Sequence, residues 1–181
     1  AAVIAETVGG SIDGFVAMMN EKAKKLGLKN THFANPHGLH DENHYTTARD
    51  LSILTQAALK SENFRQIVST QEYVIPESAT GAEHKLKTTN LLIYQSTGNS
   101  FYDSRVTGVK TGYTSAAGRC LIATAEDDGI RFLSVLCGAK TSIQESGDLL
   151  MESFPETEKL LDYGFHNFSY VTVLSPLYPI A

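Results

Sequence analysis

Several features that would point to particular classes of protein are missing from this 181-residue sequence. It has no excess of basic residues: the formal net charge is -5, which argues against nucleic acid or an anionic membrane surface as its main partner. It contains no apolar run long enough to span a bilayer. No signal peptide is visible, although a chain truncated at its front could not show one. With 42% hydrophobic residues, the sequence predicts one globular domain, or most of one.

Cysteine is also scarce. The two cysteines, Cys120 and Cys137, each lie in an apolar run with the pattern of a strand. Cysteines in such runs are usually buried. We therefore expect two buried free thiols, and a disulfide between them is the less favoured interpretation.

The first third of the sequence has the 3.6-residue hydrophobic period of helices. A first helix is predicted to begin after Ser11, its N-cap, and to end at Gly27. Its apolar face comprises Ile12, Phe15, Val16, Met19, Ala23 and Leu26. A second helix is predicted to begin at Thr47, whose hydroxyl caps it while Asp50 reaches back to complete a capping box. The side chains that this helix is expected to bury are Leu51, Leu54 and Ala58.

After residue 70 the pattern changes to short strands. Strands are predicted at 73–75 and 84–88, joined by a turn rich in Pro, Ser and Gly, and a polar loop is predicted at 95–105. Three more strands in close succession are predicted at 106–110, 119–125 and 130–137. Asp128-Gly129 is a hairpin signal between the last two.

A helical stretch that ends at Gly164 completes the pattern, with Pro155 at the start of its final segment because proline is tolerated only in the first turn. Helices and strands are thus largely segregated along the chain instead of strictly alternating. This arrangement favours an antiparallel sheet with helices packed on it, an α/β protein of the α+β type.

The most informative stretch is Val109-Lys110-Thr111-Gly112-Tyr113-Thr114, which has the pattern of a strand. It places a cation, a hydroxyl and a backbone without a side chain in succession, and such a strand can bind the anionic end of a peptide. Lys-Thr-Gly is one of the three signatures of penicillin-binding proteins and class A β-lactamases. Taken alone, the tripeptide is weak, because a solvated lysine at the end of an ordinary strand would look the same.

Neighbouring segments give the tripeptide a context. Residues 35–41 (Asn-Pro-His-Gly-Leu-His-Asp) and 44–51 (His-Tyr-Thr-Thr-Ala-Arg-Asp-Leu) resemble the signature of the serine-type D-alanyl-D-alanine carboxypeptidases, the penicillin-binding proteins of low molecular mass. Further matches, in the order of that family, occur at 19–23 (Met-Asn-Glu-Lys-Ala), 89–92 (Thr-Asn-Leu-Leu) and 160–165 (Leu-Leu-Asp-Tyr-Gly-Phe). The resemblance runs from about residue 1 to about residue 170.

The resemblance implies an incomplete β-lactamase/transpeptidase-like fold. Residues 1–168 would be part of the catalytic domain, helical over about 1–70 and containing the sheet over about 71–168, and 169–181 would begin a truncated C-terminal segment. It also implies hydrolysis of the terminal D-Ala-D-Ala bond of peptidoglycan stem peptides through an acyl-serine intermediate, which β-lactam antibiotics trap. The alternatives are a β-lactamase-type hydrolase, which must deacylate quickly, and a non-catalytic peptidoglycan-binding module.

The family's nucleophile is absent from the sequence. Acyl transfer in this family uses a serine and a lysine one helical turn apart, and no serine here has a lysine three positions later. The second family motif, Ser-x-Asn, occurs only as Ser61-Glu62-Asn63, which has the pattern of a helix start capped by serine. In the family that motif directly precedes an alanine-rich helix resembling residues 1–6. We therefore expect the chain to begin just after its own second motif and to be inactive by itself.

The resemblance assigns roles in the substrate cleft to the residues of the Lys-Thr-Gly strand. Lys110 would orient the substrate and stabilise the negative charge that develops on attack, and Thr111 would donate a hydrogen bond to the terminal carboxylate. Gly112 would let the substrate backbone approach, and the backbone N–H of Tyr113 would form half of the oxyanion hole. Thr114 matches a position beside the cleft.

One departure concerns an arginine that family members usually carry between the last strand and the Leu-Leu-Asp-Tyr-Gly-Phe segment, where it helps to hold the carboxylate. No basic residue lies between Lys140 and Lys159, and approximate alignment places Ser153 at that position. Carboxylate recognition is then expected to rest on Thr111 and Lys110 alone.

The segment 32–44 is rich in histidine and carboxylate side chains, which are the usual ligands of zinc. Its spacing does not match a helical His-Glu-x-x-His pair, and the resemblance explains the segment as a structural turn. We therefore expect no metal and no cofactor. Asp50, in its capping position, is expected to have a structural role.

The expected partners are a peptidoglycan stem peptide and β-lactam antibiotics. The protein is expected to meet them outside the cytoplasm, either in the bacterial cell envelope or as a secreted protein. Any membrane association would come through parts of the parent protein that this chain lacks.

The implied fold also predicts an open sheet edge. The strands should lie in the order 106–110, 119–125, 130–137, with the Lys-Thr-Gly strand as the cleft-lining edge. Strand 130–137 should be the opposite edge, because the strands that would pair beside it belong to the front of the domain. An open apolar strand exposes unpaired N–H and C=O groups and is an aggregation hazard.

Overall fold

The computed structural model describes residues 1–79, 81–143 and 149–171. Helices come first: α1 Ala2–Gly9, α2 Ile12–Lys25, α3 Ala48–Ala58 and α4 Glu62–Ser69. Strands follow: β1 Glu72–Ile75, β2 His84–Lys87, β3 Val106–Thr114, β4 Gly118–Asp127, β5 Ile130–Ala139, β6 Thr141–Ile143 and β7 Leu149–Met151. Helix α5, Ser153–Asn167, comes after the strands.

The largest sheet has antiparallel strands in the order β3-β4-β5, so the predicted order is confirmed. A two-residue turn joins β4 to β5: Asp128 (φ 46°) and Gly129 (φ 76°) both have positive φ, as Asp-Gly hairpin turns require. Within the described residues, β3 and β5 are the two edges of this sheet. The pairs β1–β2 and β6–β7 are separate and antiparallel.

The core lies between β4 and α5. Side chains alternate along a strand, so every second residue of β4 is buried, namely Leu121, Ala123 and Ala125. Helix α5 contributes Phe154 and Leu161 to the same cluster. The packing of α5 on the sheet fixes the orientation of the strands that carry the candidate site.

Gly164 lies within α5, where close packing requires a glycine. A Cβ at this position would lie 3.1 Å from the Phe132 ring of β5, so the missing side chain lets the helix approach the sheet. The prediction that the helix ends at Gly164 is therefore wrong, since α5 continues to Asn167. Pro155 lies in the first turn, as predicted.

Helices from the first third of the chain also pack on the sheet. Helix α3 contacts β5, and α4 contacts β3. The second contact is close at Gly108, where a Cβ would lie 3.0 Å from Val68 Cγ2. Helix α4 is thereby held beside the strand that carries Lys-Thr-Gly. Its N-cap is Ser61, whose Oγ accepts a hydrogen bond from Phe64 N, so the predicted helix start is confirmed.

Helix α2 has the predicted ends. Ser11 Oγ accepts a hydrogen bond from Gly14 N at 2.9 Å, and Gly27 (φ 74°) follows the last turn. Of the predicted apolar face, Ala23 is buried and the other side chains are half-buried. Within the described ranges, no single helix is both long and apolar enough to cross a membrane; α1 and α2 meet that criterion only when counted together, across an 80° bend.

Helix α3 begins where predicted, because Thr47 Oγ1 accepts a hydrogen bond from Asp50 N at 3.1 Å. The predicted capping box is wrong in its second half. Asp50 Oδ2 instead accepts hydrogen bonds from Asn30 N and Thr31 Oγ1, each at 2.8 Å, and so ties the preceding loop to the helix. Asp50 is itself buried, whereas the side chains predicted to be buried are only half-buried: Leu51, Leu54 and Ala58.

Strand β3 is longer than predicted. Its pairing with β4 continues through the Lys-Thr-Gly residues as far as Thr114, which lies opposite Gly118. Strands β6 and β7 were not predicted at all, because three residues are too few to show a hydrophobic period.

Both cysteines are free, as expected, but the prediction that they are buried is wrong. Cys120 is half-buried and Cys137 is exposed, because alternation along the strands places them on the face opposite the buried Leu121. Of the predicted C-terminal segment at 169–181, residues 172–181 lie outside the described residues.

Candidate active site

Strand β3 presents the Lys-Thr-Gly residues at an open edge of the sheet. The register pairs Lys110 with Ile122 and Thr111 with Leu121, so one edge of β3 is occupied by β4. No described strand pairs with the other edge. An open edge offers backbone N–H and C=O groups to which an extended peptide can pair.

A cavity of about 690 Å³ lies beside this edge, within the usual size range of sites for small ligands. Its walls are α4, the β1–β2 pair, the segment after β2, and β3. From the predicted site, Lys110 and Thr111 line it, together with Val109. Residues Gly112, Tyr113 and Thr114 lie further along β3 and are not among its lining residues.

Thr111 is positioned by the segment that follows β2. Its Oγ1 lies 2.5 Å from Thr89 Oγ1, so the two hydroxyls share a hydrogen bond. The segment is braced by its own side chains, since Asn90 N donates to Thr88 Oγ1 and Leu92 N donates to Asn90 Oδ1, both at 3.1 Å. The threonine hydroxyl is therefore held at the cavity wall.

Asn90 is a cavity residue to which the sequence analysis assigned no role. Its side chain is buried, and Nδ2 has no hydrogen-bond acceptor among the described residues. A buried amide donor without a partner is costly unless another group satisfies it. The sequence signal was present, because Asn90 belongs to the Thr-Asn-Leu-Leu match, but that match indicated only a family position.

The ammonium group of Lys110 is exposed, and its Nζ donates a hydrogen bond to the carbonyl oxygen of Thr111. No carboxylate in the described part of the chain forms an ion pair with it. The positive charge is therefore not neutralised by a neighbouring acid and can attract an anionic or polarised group of a ligand.

Gly112 is not required by packing or by backbone conformation. A Cβ added there would meet only Cys120 Cβ, at 4.0 Å, which is an ordinary contact. Its φ angle is not in the left-handed region. The space in front of Gly112 is thus open, as it should be if another molecule approaches the backbone.

Tyr113 and Thr114 lie at the C-terminal end of β3. The Tyr113 ring is exposed and stacks on the guanidinium of Arg119, 4.8 Å from its centroid. Thr114 Oγ1 accepts a hydrogen bond from Ala117 N at 3.0 Å and closes the turn into β4. The side chain of Thr114 therefore has a structural role in the turn, and the oxyanion-hole role of the Tyr113 backbone N–H and the cleft position of Thr114 stay predictions.

Ser153, aligned with the family's arginine, is buried at the start of α5 and offers no charge. Arg105 lies just before β3 and does not take the place of that arginine, because its guanidinium is bound within the protein. It binds Asp103 and Asp162, each at 2.7 Å, and thereby joins the start of β3 to α5. Burial alone would raise the pKa of Asp103, but the hydrogen bonds from Arg105 hold this pKa below its usual range.

The histidines of segment 32–44 hold the loop through local hydrogen bonds. His32 Nδ1 lies 2.6 Å from the carbonyl oxygen of Asn43, and His44 Nδ1 accepts from Ala34 N at 3.2 Å. Burial lowers the pKa of His44, which favours the neutral ring that this acceptor role needs. Within the described residues, no group of three or more histidine, cysteine or acidic side chains could hold a metal ion. The absence of structural zinc stays a prediction, for elemental analysis to check.

Comparisons with known proteins were consistent with one another. The Peptidase S11 family model, described as D-alanyl-D-alanine carboxypeptidase, matches residues 1–141. The D-alanyl-D-alanine carboxypeptidase DacF of Bacillus subtilis is 39% identical over 165 residues, which are 91% of this chain and 38% of the relative. DacC of Escherichia coli, with the same enzyme name, is 36% identical over 175 residues, or 96% of this chain and 38% of the relative.

Solved structures share the fold. Penicillin binding protein 5 from Haemophilus influenzae superposes with a TM-score of 0.75 at 31% identity, over 99% of this chain and 47% of that chain. A D-alanyl-D-alanine carboxypeptidase from Mycobacterium tuberculosis gives a TM-score of 0.71 at 28% identity, over 94% of this chain and 58% of that one. The predicted transpeptidase-like fold is confirmed, and the chain spans 38% of the length of the two relatives above. The chain belongs to the D-alanyl-D-alanine carboxypeptidase family.

Proposed function

We propose that the parent protein hydrolyses the terminal D-Ala-D-Ala bond of peptidoglycan stem peptides through an acyl-serine intermediate. One observation carries the proposal: Lys110 and Thr111 line the same cavity beside the open edge of β3. Lys110 forms no ion pair with a carboxylate of the described residues, and the hydroxyl of Thr111 is held by Thr89. Such a site suits an extended peptide that ends in a carboxylate. The names of the relatives, which are D-alanyl-D-alanine carboxypeptidases, support it.

The substrate would lie along the open edge of β3. Thr111 donates a hydrogen bond to the terminal carboxylate, and Lys110 attracts the same end of the peptide and stabilises charge at the reacting carbonyl. Gly112 leaves room for the peptide backbone. The backbone N–H of Tyr113 donates to the oxyanion that forms when the nucleophile adds to the carbonyl carbon.

The mechanism needs a nucleophilic serine and its lysine, and since this sequence has no Ser-x-x-Lys, the proposal is that the parent protein supplies them. Serine attack breaks the peptide bond and releases D-alanine, whose amine takes up a proton. Water then hydrolyses the acyl-serine ester. A β-lactam would acylate the same serine and leave slowly. We further propose that the parent acts in the bacterial cell envelope or is secreted, and that any membrane association comes through its other parts.

The test uses the intact parent with two substrates, a stem peptide ending in D-Ala-D-Ala and benzylpenicillin. The expected result is catalytic release of D-alanine together with a penicillin adduct that survives denaturation and turns over slowly. Fast penicillin hydrolysis without D-alanine release would identify a β-lactamase instead. Binding of peptidoglycan without either reaction would identify a non-catalytic module. Both of these outcomes contradict the proposal.

A further inference from the structure

Cys120 on β4 and Cys137 on β5 lie on neighbouring strands at a register shift. Leu121 pairs with Leu136 and Arg119 pairs with Ala139, so two residues of β5, Cys137 and Gly138, lie across from the single residue Cys120. Gly138 has a positive φ of 75°. By alternation along the strands, the side chains of Cys120 and Cys137 project from the same face of the sheet.

The surroundings of the pair leave it accessible. Cys120 is half-buried, Cys137 is exposed, and neither forms a disulfide. Gly112 of the site strand pairs with Cys120, and a Cβ on Gly112 would lie 4.0 Å from Cys120 Cβ. The thiols are close enough to influence each other: burial first, and then the neighbouring Cys120, raises the pKa of the Cys137 thiol.

We propose that Cys120 and Cys137 form a dithiol site at which low-molecular-mass disulfides are reduced and a cross-strand disulfide is formed. Residues across from each other on neighbouring antiparallel strands have about the Cα and Cβ separations that a disulfide needs, and Cys137 is one of the two β5 residues across from Cys120. Nothing in the role proposed for the Lys-Thr-Gly strand uses these thiols.

The exchange takes place in two balanced steps. One cysteine thiolate attacks a sulfur of the small disulfide, the S–S bond breaks, and one small thiol leaves with the proton that the cysteine lost. The second cysteine thiolate then attacks the protein-bound sulfur and displaces the second small thiol, which takes up the second proton. The protein dithiol is oxidised, and the small disulfide is reduced to two thiols.

We expect the second step to be faster than the accumulation of mixed disulfides, since the second thiol lies on the neighbouring strand and on the same face of the sheet as the first. A bulky adduct on Cys120 would stand next to the open space in front of Gly112. The cross-strand bond removes that adduct and leaves the space clear.

The test incubates the chain with oxidised glutathione, alkylates the remaining thiols and maps tryptic peptides without reduction. Trypsin cleaves after Arg119, Arg131 and Lys140, so the two cysteines fall in separate peptides, 120–131 and 132–140. The expected product is a disulfide that joins these peptides, without glutathione. In Cys137→Ser the remaining thiol should carry a single glutathione adduct.

A matched variant moves one thiol out of register. Cys120→Ser combined with Ile122→Cys keeps two thiols on the same face, but the new cysteine lies opposite Val135 instead of Cys137. This variant should accumulate glutathione adducts, whereas the native pair should form the link. If the native chain ends with an adduct on each cysteine, remains fully reduced, or links no faster than the out-of-register variant, the proposal is wrong.

Discussion

Among the described residues, strands β3 and β5 are the two open edges of one sheet, yet their side chains make them different surfaces. Beside β3 lies a cavity with a lysine ammonium group, a threonine hydroxyl and an uncovered glycine further along the strand. Strand β5 is mainly apolar, with Phe132 packed against the Phe165 ring of α5 at 5.0 Å between centroids. Both edges offer the same backbone groups, N–H and C=O.

On the function proposed above, the difference means that an open edge becomes a binding site through its side chains and the cavity beside it. At β3, the proposed function requires the polar groups to favour an extended, anionic partner. At β5, little restricts the partner, and any strand with an apolar face can add to it. The predictions below test this contrast, beginning with the largest effect.

The isolated chain should form no covalent adduct with a fluorescent penicillin, because it has no serine with a lysine three residues later. The measurement is fluorescence on a denaturing gel, with the intact parent labelled in parallel. An adduct on the isolated chain that survives denaturation would show that it carries its own nucleophile.

Replacing Gly112 by valine should separate stability from substrate binding. Because a Cβ at this position meets only Cys120 Cβ, at an ordinary contact distance, the free energy of unfolding of the chain should change by no more than about 0.5 kcal/mol. In the intact parent, the same change should slow acylation by up to about a hundredfold, since it displaces the substrate from the strand. Gly112→Ala should have a smaller effect. Unchanged acylation in Gly112→Val would mean that no substrate passes in front of this glycine.

The junction between β3 and α5 should be sensitive to acid. Asp103→Asn should lower the free energy of unfolding by about 1–3 kcal/mol at neutral pH, because Arg105 loses a charged acceptor. The pKa of Asp103 is depressed, so its contribution is fully present above about pH 3.9, the unfolded-state pKa, and is lost as the pH falls through the folded-state pKa.

The matched control for that variant is Glu126→Gln, which removes the exposed pair with Arg131 on the β4–β5 hairpin. Its denaturation midpoint should stay close to that of the native chain, because exposed pairs contribute little. Equal losses in the two variants would show that burial of the Arg105 pair has no special role.

The open edge at β5 should promote self-association of the chain. Val135→Lys places a charge on the edge strand and should reduce light scattering at high concentration. Val3→Lys makes the same substitution on the exposed surface of α1, with the same change of net charge, and should have less effect. Equal effects of the two variants would attribute the change to net charge alone.

Local signals in the sequence predicted the local structure well. Ser11, Thr47 and Ser61 cap helices where expected, and Asp128-Gly129 forms the hairpin turn. Each of these features depends on a few neighbouring residues, so a sequence pattern contains the necessary information.

Features that depend on distant parts of the chain were harder to predict. Gly164 has the pattern of a helix end, yet it is needed because Phe132 lies against it, more than thirty residues earlier in the sequence. Asp50 accepts hydrogen bonds from Asn30 and Thr31 instead of closing a capping box, and these partners are also distant in the sequence. At the candidate site, the motif predicted Lys110 and Thr111, whereas the hydroxyl pair with Thr89 required the fold.

The central claim is that the open edge of β3, with Lys110 at its cavity, is the surface along which the substrate lies while it acylates the serine of the intact parent. The most direct measurement is the second-order rate of acylation of the intact parent by a fluorescent penicillin, for Lys110→Ala and for Lys85→Ala. Lys85 is an exposed lysine of β2 that pairs with Glu83 and does not line the cavity. We expect at least about a hundredfold loss of rate for Lys110→Ala, and a native rate for Lys85→Ala. A folded Lys110→Ala protein that is acylated at the native rate would contradict the account.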